Sequence, residues 1–253
     1  MFLDWFVFGV EEKRKDMAKI PSLKEMMNAG MHFGHSASKW HPNMKPYIFT
    51  VKKNVNIIDL TKSQQMLENA LEFIKNLTSE KKVILFVGTK KQVKLPLEKM
   101  AQEVNMPYVT EKWPGGALTN FSMFRKSIKK YQDLLQEKEQ GKLEKYTKKE
   151  QIEFEKEIEK LETKVKGLVN LNKMPDAVFI WDIKKENIAV AEARKKNIPI
   201  VAICDTNANP KLVNYPIPAN DDATKTIHLV LDMVKQTIQE EHNTSSSSIE
   251  QDK

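Results

Sequence analysis

The sequence predicts an α/β protein: a doubly wound parallel sheet covered by helices, interrupted by an inserted antiparallel helical hairpin. Two observations carry that prediction. First, VILFVGT (Val83–Thr89), AVFIWDI (Ala177–Ile183) and PIVAICDT (Pro199–Thr206) are apolar at consecutive positions, as strands buried on both faces are, and helical patterns alternate with them. Second, residues 121–168 are rich in Lys, Glu and Gln and carry apolar residues at heptad spacing, the mark of a narrow helix–helix seam.

The elements follow in chain order. MFLDWFVFGV is apolar but too short to span a bilayer, carries Asp4 and precedes the charged run EEKRKD; it matches neither a membrane span nor a signal peptide. Residues 1–16 are therefore expected to be an extension of doubtful order or the product of an upstream start, since Met17 opens MAKIPSLKEMMNAG like an ordinary N-terminus with a helix to follow. GHSASKWHPNMKPYIF (Gly34–Phe49) shows almost no periodicity and reads as an irregular loop. NVNIIDL is a short β-branched apolar run. In TKSQQMLENALEFIKNL, Met66, Ala70, Phe73 or Ile74, and Leu77 fall at helical spacing, with Thr61 or Ser63 placed to cap.

Val83–Thr89 is the first buried strand, and KKQVKLPLEKMAQEV follows with Val93, Leu97, Met100 and Val104 on one face. Pro96 must kink that helix or delay its start. PYVTE is a short strand. Further on, ENIAVAEARKKN is the helix between the strands at Ala177 and Pro199, and DDATKTIHLVLDMVKQTIQEE closes the fold as an amphipathic helix. NTSSSSIEQDK, residues 243–253, is expected to be a disordered tail. Phe124, Ile128, Tyr131 and Leu135 step by 4, 3 and 4, while Phe154, Ile158, Leu161, Val165 and Leu168 step by 4, 3, 4 and 3. Gly141 lies in the polar stretch between these two arms. The sheet domain is thus assigned to residues 17–120 and 169–242, and the projecting hairpin to 121–168.

Bulk composition narrows the function classes. Lys and Arg number 41 against 34 Asp and Glu, a formal charge of +7 in 253 residues, which favours an anionic partner. A single cysteine, Cys204, excludes an intramolecular disulfide framework and, flanked by apolar strand residues, reads as a buried inert thiol.

Residue by residue, the sequence offers little to an enzyme. A phosphate-cradling loop needs several glycines in fixed spacing; Gly88 stands alone in VGTKK, and Gly115–Gly116 in KWPGGALTN lack the fingerprint. Asp182 and Asp205 end two strands, where open α/β sheets place ligands, and together suit Mg²⁺-dependent phosphoryl transfer. Against this, Asp205 lies in the turn-forming DTNANP, and Asp221 and Asp222 suit a helix N-terminus. His32, His35 and His41 invite a zinc reading, but no cysteine is near and a fourth ligand is missing. No cofactor is expected.

Nucleic acid is the better match. Lys39, Trp40, His41, Lys45, Tyr47, Lys52 and Lys53 interleave cations with flat rings, the combination that neutralises phosphates and stacks on unpaired bases. Arg125, Lys126, Lys129 and Lys130 form a second basic cluster at the root of the hairpin, beside Gly115, Gly116 and Asn120, which complete the candidate RNA-binding set.

At this point MHFGHSASKWHPNMKPYIF, NIIDLTKS, VGTKKQ, KWPGGALTNF, MPDAVFIWDIKKENIAVAEA and IPIVAICDTNANPKLVNYPIPANDDATKTI, in that order, resemble the small-subunit ribosomal protein two family in its bacterial or organellar form. The resemblance runs from about Met17 to near Glu241. It implies a flavodoxin-like parallel sheet with an inserted coiled-coil hairpin, and a structural, non-enzymatic component of the small ribosomal subunit, cytoplasmic or organellar. It further implies binding to small-subunit rRNA near the junction of head and body, contacts with neighbouring ribosomal proteins, and help in docking ribosomal protein one. Neither a membrane nor a homo-oligomer is implied. Lys39, His41, Asn43, Pro96 and Pro114 depart from the family's commonest residues, so contacts at those positions do not transfer individually.

Overall fold

The computed structural model describes residues 20–250; the expectations for residues 1–16 lie outside them. The chain enters through α1 (Leu23–Asn28), started by a capping box in which Ser22 and Glu25 exchange side-chain bonds to each other's backbone N–H. Three short strands follow: β1 (Phe33–Ser36), β2 (Ile48–Lys52) and β3 (Val55–Ile58). They form an antiparallel sheet of order β1-β3-β2.

The expected irregular loop is therefore ordered in four pieces. Its first residues make β1, Ala37–Lys39 and Pro42–Tyr47 make two 3-10 turns, and its end makes β2. Short elements with bulged pairing leave too few repeats for periodicity to register. Lys53 and Asn54, at φ 49° and 61°, form the two-residue turn of the β2–β3 hairpin, a pair of left-handed residues matching the strand twist.

α2 (Leu60–Ser79) buries Leu67, Ala70, Leu71, Ile74 and Leu77. Its cap is Asp59, whose carboxylate accepts from Thr61 N–H, so neither Thr61 nor Ser63 caps as expected; the Ser63 hydroxyl instead donates to Pro218 O at 2.6 Å. The main sheet then assembles from β4 (Ile84–Val87), β5 (Tyr108–Val109), β6 (Ala177–Trp181), β7 (Ile200–Cys204) and β8 (Tyr215–Pro218). All pairings are parallel, in the order β5-β4-β6-β7-β8. Numbered within this sheet that order is 2-1-3-4-5, which fits a flavodoxin-like fold.

Alternate residues of the central strands feed two cores. Ile84, Phe86, Phe179, Trp181 and Ile203 face α2, α3 (Lys91–Glu103) and the last helix. Leu85, Val87, Val178, Ile180 and Ala202 face α4 (Phe121–Glu139), α5 (Lys148–Val165) and α6 (Asn187–Lys195). α3 starts at Lys91 and runs through Pro96; the proline removes one helix N–H without delaying the start. The edge strand β8 carries Pro216 and Pro218, a placement sheets tolerate at edges.

α4 and α5 lie against each other in opposite directions: Phe124 shares a cleft with Leu161 and Val165, and Lys130 pairs with Glu157. The last helix, α7 (Thr224–Glu250), continues past Asn243 into the segment expected to be disordered. Extending an existing helix costs little per residue even for serines. Among the described residues no helix is long and apolar enough to cross a membrane.

Candidate nucleic-acid interface

The small antiparallel sheet is bolted to the strand ends of the main sheet by a few short contacts. Backbone N–H of His35 donates to Asp205 Oδ1 and Thr206 Oγ1 at 3.2 and 2.9 Å, and His41 N–H donates to Thr206 O at 2.7 Å. Asn43 Nδ2 donates to Asn209 Oδ1 at 2.9 Å. Gly34 makes this approach possible: a Cβ there would stand 2.5 Å from Thr206 Cγ2 and 2.8 Å from its hydroxyl. The β2–β3 turn is tied back as well, Ala37 N–H donating to Asn54 O at 2.9 Å.

On this support Lys39, Trp40, Lys45, Lys52 and Lys53 are exposed. None of those lysines forms an ion pair among the described residues. His41 is only half-buried, and its Nδ1 accepts from Asn43 N–H at 3.1 Å to cap the second 3-10 turn. Tyr47 packs against the core rather than standing clear, so its ring is the weakest member of the predicted set.

The second cluster sits at the root of α4. Arg125, Lys126, Lys129 and Lys130 are exposed, but Lys130 is engaged with Glu157 on α5. The Trp113–Asn120 loop beside them is organised by one residue the sequence reading did not single out, Glu192 on α6. Its Oε1 accepts from Trp113 Nε1 and Gly116 N–H at 3.1 and 2.7 Å; its Oε2 accepts from Leu118 N–H, Thr119 N–H and Thr119 Oγ1, each at 3.0 Å. Burial works against the Glu192 charge, but these donors outweigh it and hold the carboxyl below the usual range. Three converging N–H groups are the makings of an anion nest, and here the protein's own carboxylate fills it. The Gly115–Gly116 pair is therefore not a free phosphate cradle. Gly88 is not one either: a Cβ there would meet Val93 and Leu97 side chains at 2.8 and 2.9 Å, so the glycine lets α3 pack on β4.

The acids of the enzyme reading come together with a cation already among them. Lys90 Nζ lies 3.0 Å from Asp182 Oδ2, 2.7 Å from Asp221 Oδ1 and 2.8 Å from Asp222 Oδ1. Burial opposes the ammonium charge, but hydrogen bonding to Asp221 and the surrounding carboxylates push its pKa up. Asp221 is buried, and burial together with the Asp205 and Asp182 charges pushes its carboxyl up to about 7 in spite of Lys90. Asp182 Oδ1 accepts from Lys184 and Lys185 N–H at 3.0 and 3.1 Å, closing a turn in which Asp182 itself has φ 68°. Asp205 Oδ1 binds His35 and Thr206, and Oδ2 accepts from Asp221 N–H at 3.4 Å. Asp182 and Asp205 are thus occupied by turns and by Lys90, which argues against the phosphoryl-transfer reading.

The three histidines do not converge. His35 Nδ1 faces Asp205 Oδ1 at 3.1 Å, and that hydrogen bond raises its pKa against the effect of burial, with help from the Asp205, Asp221 and Asp222 charges. Burial lowers that of His32, and His41 is a capping residue. Among the described residues the group whose ligand atoms lie close enough for a metal ion is His35, Asp205 and Asp221, all within 4.8 Å of one another. Cys204 is buried, and burial foremost raises its thiol pKa, as expected for an inert cysteine.

A family model described as Ribosomal protein S2 matches residues 26–241. Curated relatives called small ribosomal subunit protein uS2 are 48% identical over 218 residues in Chlorobaculum tepidum, covering 86% of this chain and 88% of the relative. In Coprothermobacter proteolyticus the identity is 44% over 221 residues, covering 87% and 82%; in Flavobacterium psychrophilum it is 43% over 222 residues, covering 88% and 84%.

Proposed function

This chain belongs to the ribosomal protein S2 family, and on that premise we propose how it serves the small ribosomal subunit. Its role is structural and not catalytic: it is a constituent of the particle that carries out translation. It binds small-subunit rRNA through Lys39, Trp40, Lys45, Lys52 and Lys53, supported by Arg125, Lys126 and Lys129 at the hairpin root. The observation that carries this reading is the contrast in partners. The lysines of the small sheet are exposed and unpaired among the described residues, whereas the strand-end acids are consumed internally by Lys90 and by turns. A platform of fixed cations beside an exposed ring binds phosphate backbone and stacks on unpaired bases.

Neighbouring ribosomal proteins, ribosomal protein one among them, are the second class of partner. Phe49 and Val51 on β2 are 74% and 53% exposed and Phe33 on β1 is 49% exposed, apolar area of the kind that supports a protein contact. The heptad seam of α4 and α5 works as a coiled coil that reaches over RNA or protein. The site of action is the small subunit of a cytoplasmic or organellar ribosome.

The test uses small subunits stripped of this protein, titrated with the full chain at stepped salt. Binding should weaken steeply as salt rises, and replacing Lys39, Lys45, Lys52 and Lys53 by Glu should reduce the log–log salt slope by about 0.7–0.9 per lost phosphate contact. Wild-type chain that fails to bind even at low salt, or a variant with an unchanged slope, refutes the assignment.

A further inference from the structure

One cleft at the hairpin root joins an apolar floor to a cationic rim. Its walls are the Trp113 loop and the facing sides of α4 and α5, its volume is about 380 Å³, and its apolar floor is made by Trp113, Phe124, Leu161 and Val165. The charged residues in its lining are Lys112 and Lys164, both exposed and neither in an ion pair among the described residues. A neighbouring cleft along α5 mixes Glu98, Glu111 and Glu162 with Lys164 and Lys166, so a lining without acids is not a general property of this lysine-rich hairpin. The loop side is held rigid, because Glu192 fixes Trp113 and Gly116 from below. Gly115 has open space where a Cβ would be, which leaves the rim clear for a backbone to pass.

From this we infer that the cleft receives a single unpaired nucleotide of the small-subunit rRNA, its base on the apolar floor and its flanking phosphates at Lys112 and Lys164. An apolar floor with no acid in the wall and a cation on either side matches a flat uncharged base between two anionic linkages. An apolar protein side chain alone would take the floor but leave both lysines unanswered. The inference rests on the RNA-binding reading given above and adds a particular site to it.

The experiment again titrates the full chain onto stripped small subunits, with chemical probing of unpaired bases added. Leu161→Trp fills the cleft, and is expected to weaken binding about 5- to 150-fold, the range that corresponds to one lost base stack. It should also restore reactivity to a base that the wild-type chain protects. Lys112→Glu with Lys164→Glu changes two exposed positions, and should lower the salt slope by about 1.4 or more while the melting temperature holds. If wild type binds but both variants bind and protect as it does, the cleft assignment is overturned and the broader RNA reading stands. If Leu161→Trp leaves every base pattern unchanged yet loses a neighbouring protein from the particle, the occupant is protein and the inference is wrong. Absence of any wild-type binding sinks both.

Discussion

Replacing Glu192 by glutamine keeps the size and shape of the side chain and removes only its charge and half of its accepting capacity. At neutral pH the carboxylate takes five donors, and Trp113 and Leu118, which supply two of them, are buried. The amide has one oxygen, and its NH₂ must point at N–H groups it cannot satisfy. Trp113 and Leu118 bond different oxygens, so whichever way the amide turns one buried donor is stranded, an expected loss of about 1–3 kcal/mol, since the partly exposed Gly116 and Thr119 groups have access to water. The pH dependence makes the test specific. The folded-state pKa of Glu192 is depressed, so its stabilisation is fully present above the ordinary glutamate range near pH 4.5 and is lost as pH falls through the lower folded value. A protonated carboxyl and an amide are near-equivalent, so the gap between wild type and Glu192→Gln in urea denaturation should be full at pH 7 and close as pH falls below the ordinary glutamate range. A gap that is absent at pH 7, or that persists undiminished in acid, would refute the role assigned to this carboxylate.

Two further perturbations probe how the small sheet and the strand ends are joined. Gly34→Ala puts a methyl group into Thr206 and should cost about 1–3 kcal/mol, as overpacking does, read as a lower urea midpoint with an unchanged m-value. Lys90→Met strips the cation from Asp182, Asp221 and Asp222 and should cost about 3–5 kcal/mol at pH 8. Because Asp221 binds its proton more tightly folded than unfolded, its charge becomes a liability as pH rises through about 7. The Lys90→Met deficit measured by thermal melts should accordingly shrink between pH 8 and pH 5, and a constant deficit would show that Asp221 is not the group left exposed.

The parallel sheet was legible because strands buried on both faces write themselves as unbroken apolar runs, as Ile84–Val87, Ala177–Trp181 and Ile200–Cys204 do. The small sheet was not. Its strands are four or five residues long, its pairing is bulged, and its turn is made by Lys53 and Asn54 instead of a glycine-containing pair. The cationic residues of the candidate interface could be picked out by type, since no neighbour is needed to make a lysine basic. Which of them stay free is a matter of tertiary contact: Lys130 meets Glu157, and Lys90, unremarkable in VGTKK, meets three aspartates. Glu192 was hidden for the same reason, as its five donors lie more than 70 residues away in sequence.

These contacts also explain how a fold that so often carries enzymes serves a structural role here. A doubly wound sheet binds ligands beyond the carboxyl ends of its strands, where the strand order reverses. In this chain that point lies between β4 and β6, and it is closed by side chains from the two strand ends. Lys90, after β4, reaches Asp182, after β6, at 3.0 Å; Thr89 N–H donates to Glu186 Oε1 at 3.0 Å, and Lys185 Nζ donates to Thr89 O at 2.9 Å. Alongside, the small sheet sits on Asp205 and Thr206 and covers the end of β7. Opening the crevice to a substrate would require breaking a buried ion pair and leaving Glu186 without its donors, a cost of several kcal/mol that substrate binding would have to offset. The same bonds make the strand ends rigid, and a rigid base is what fixed surface cations need if they are to meet phosphates at set positions without an ordering cost on binding. The geometry that shuts the ligand crevice is therefore the geometry that would hold the small sheet's cations at fixed positions for the proposed RNA contact.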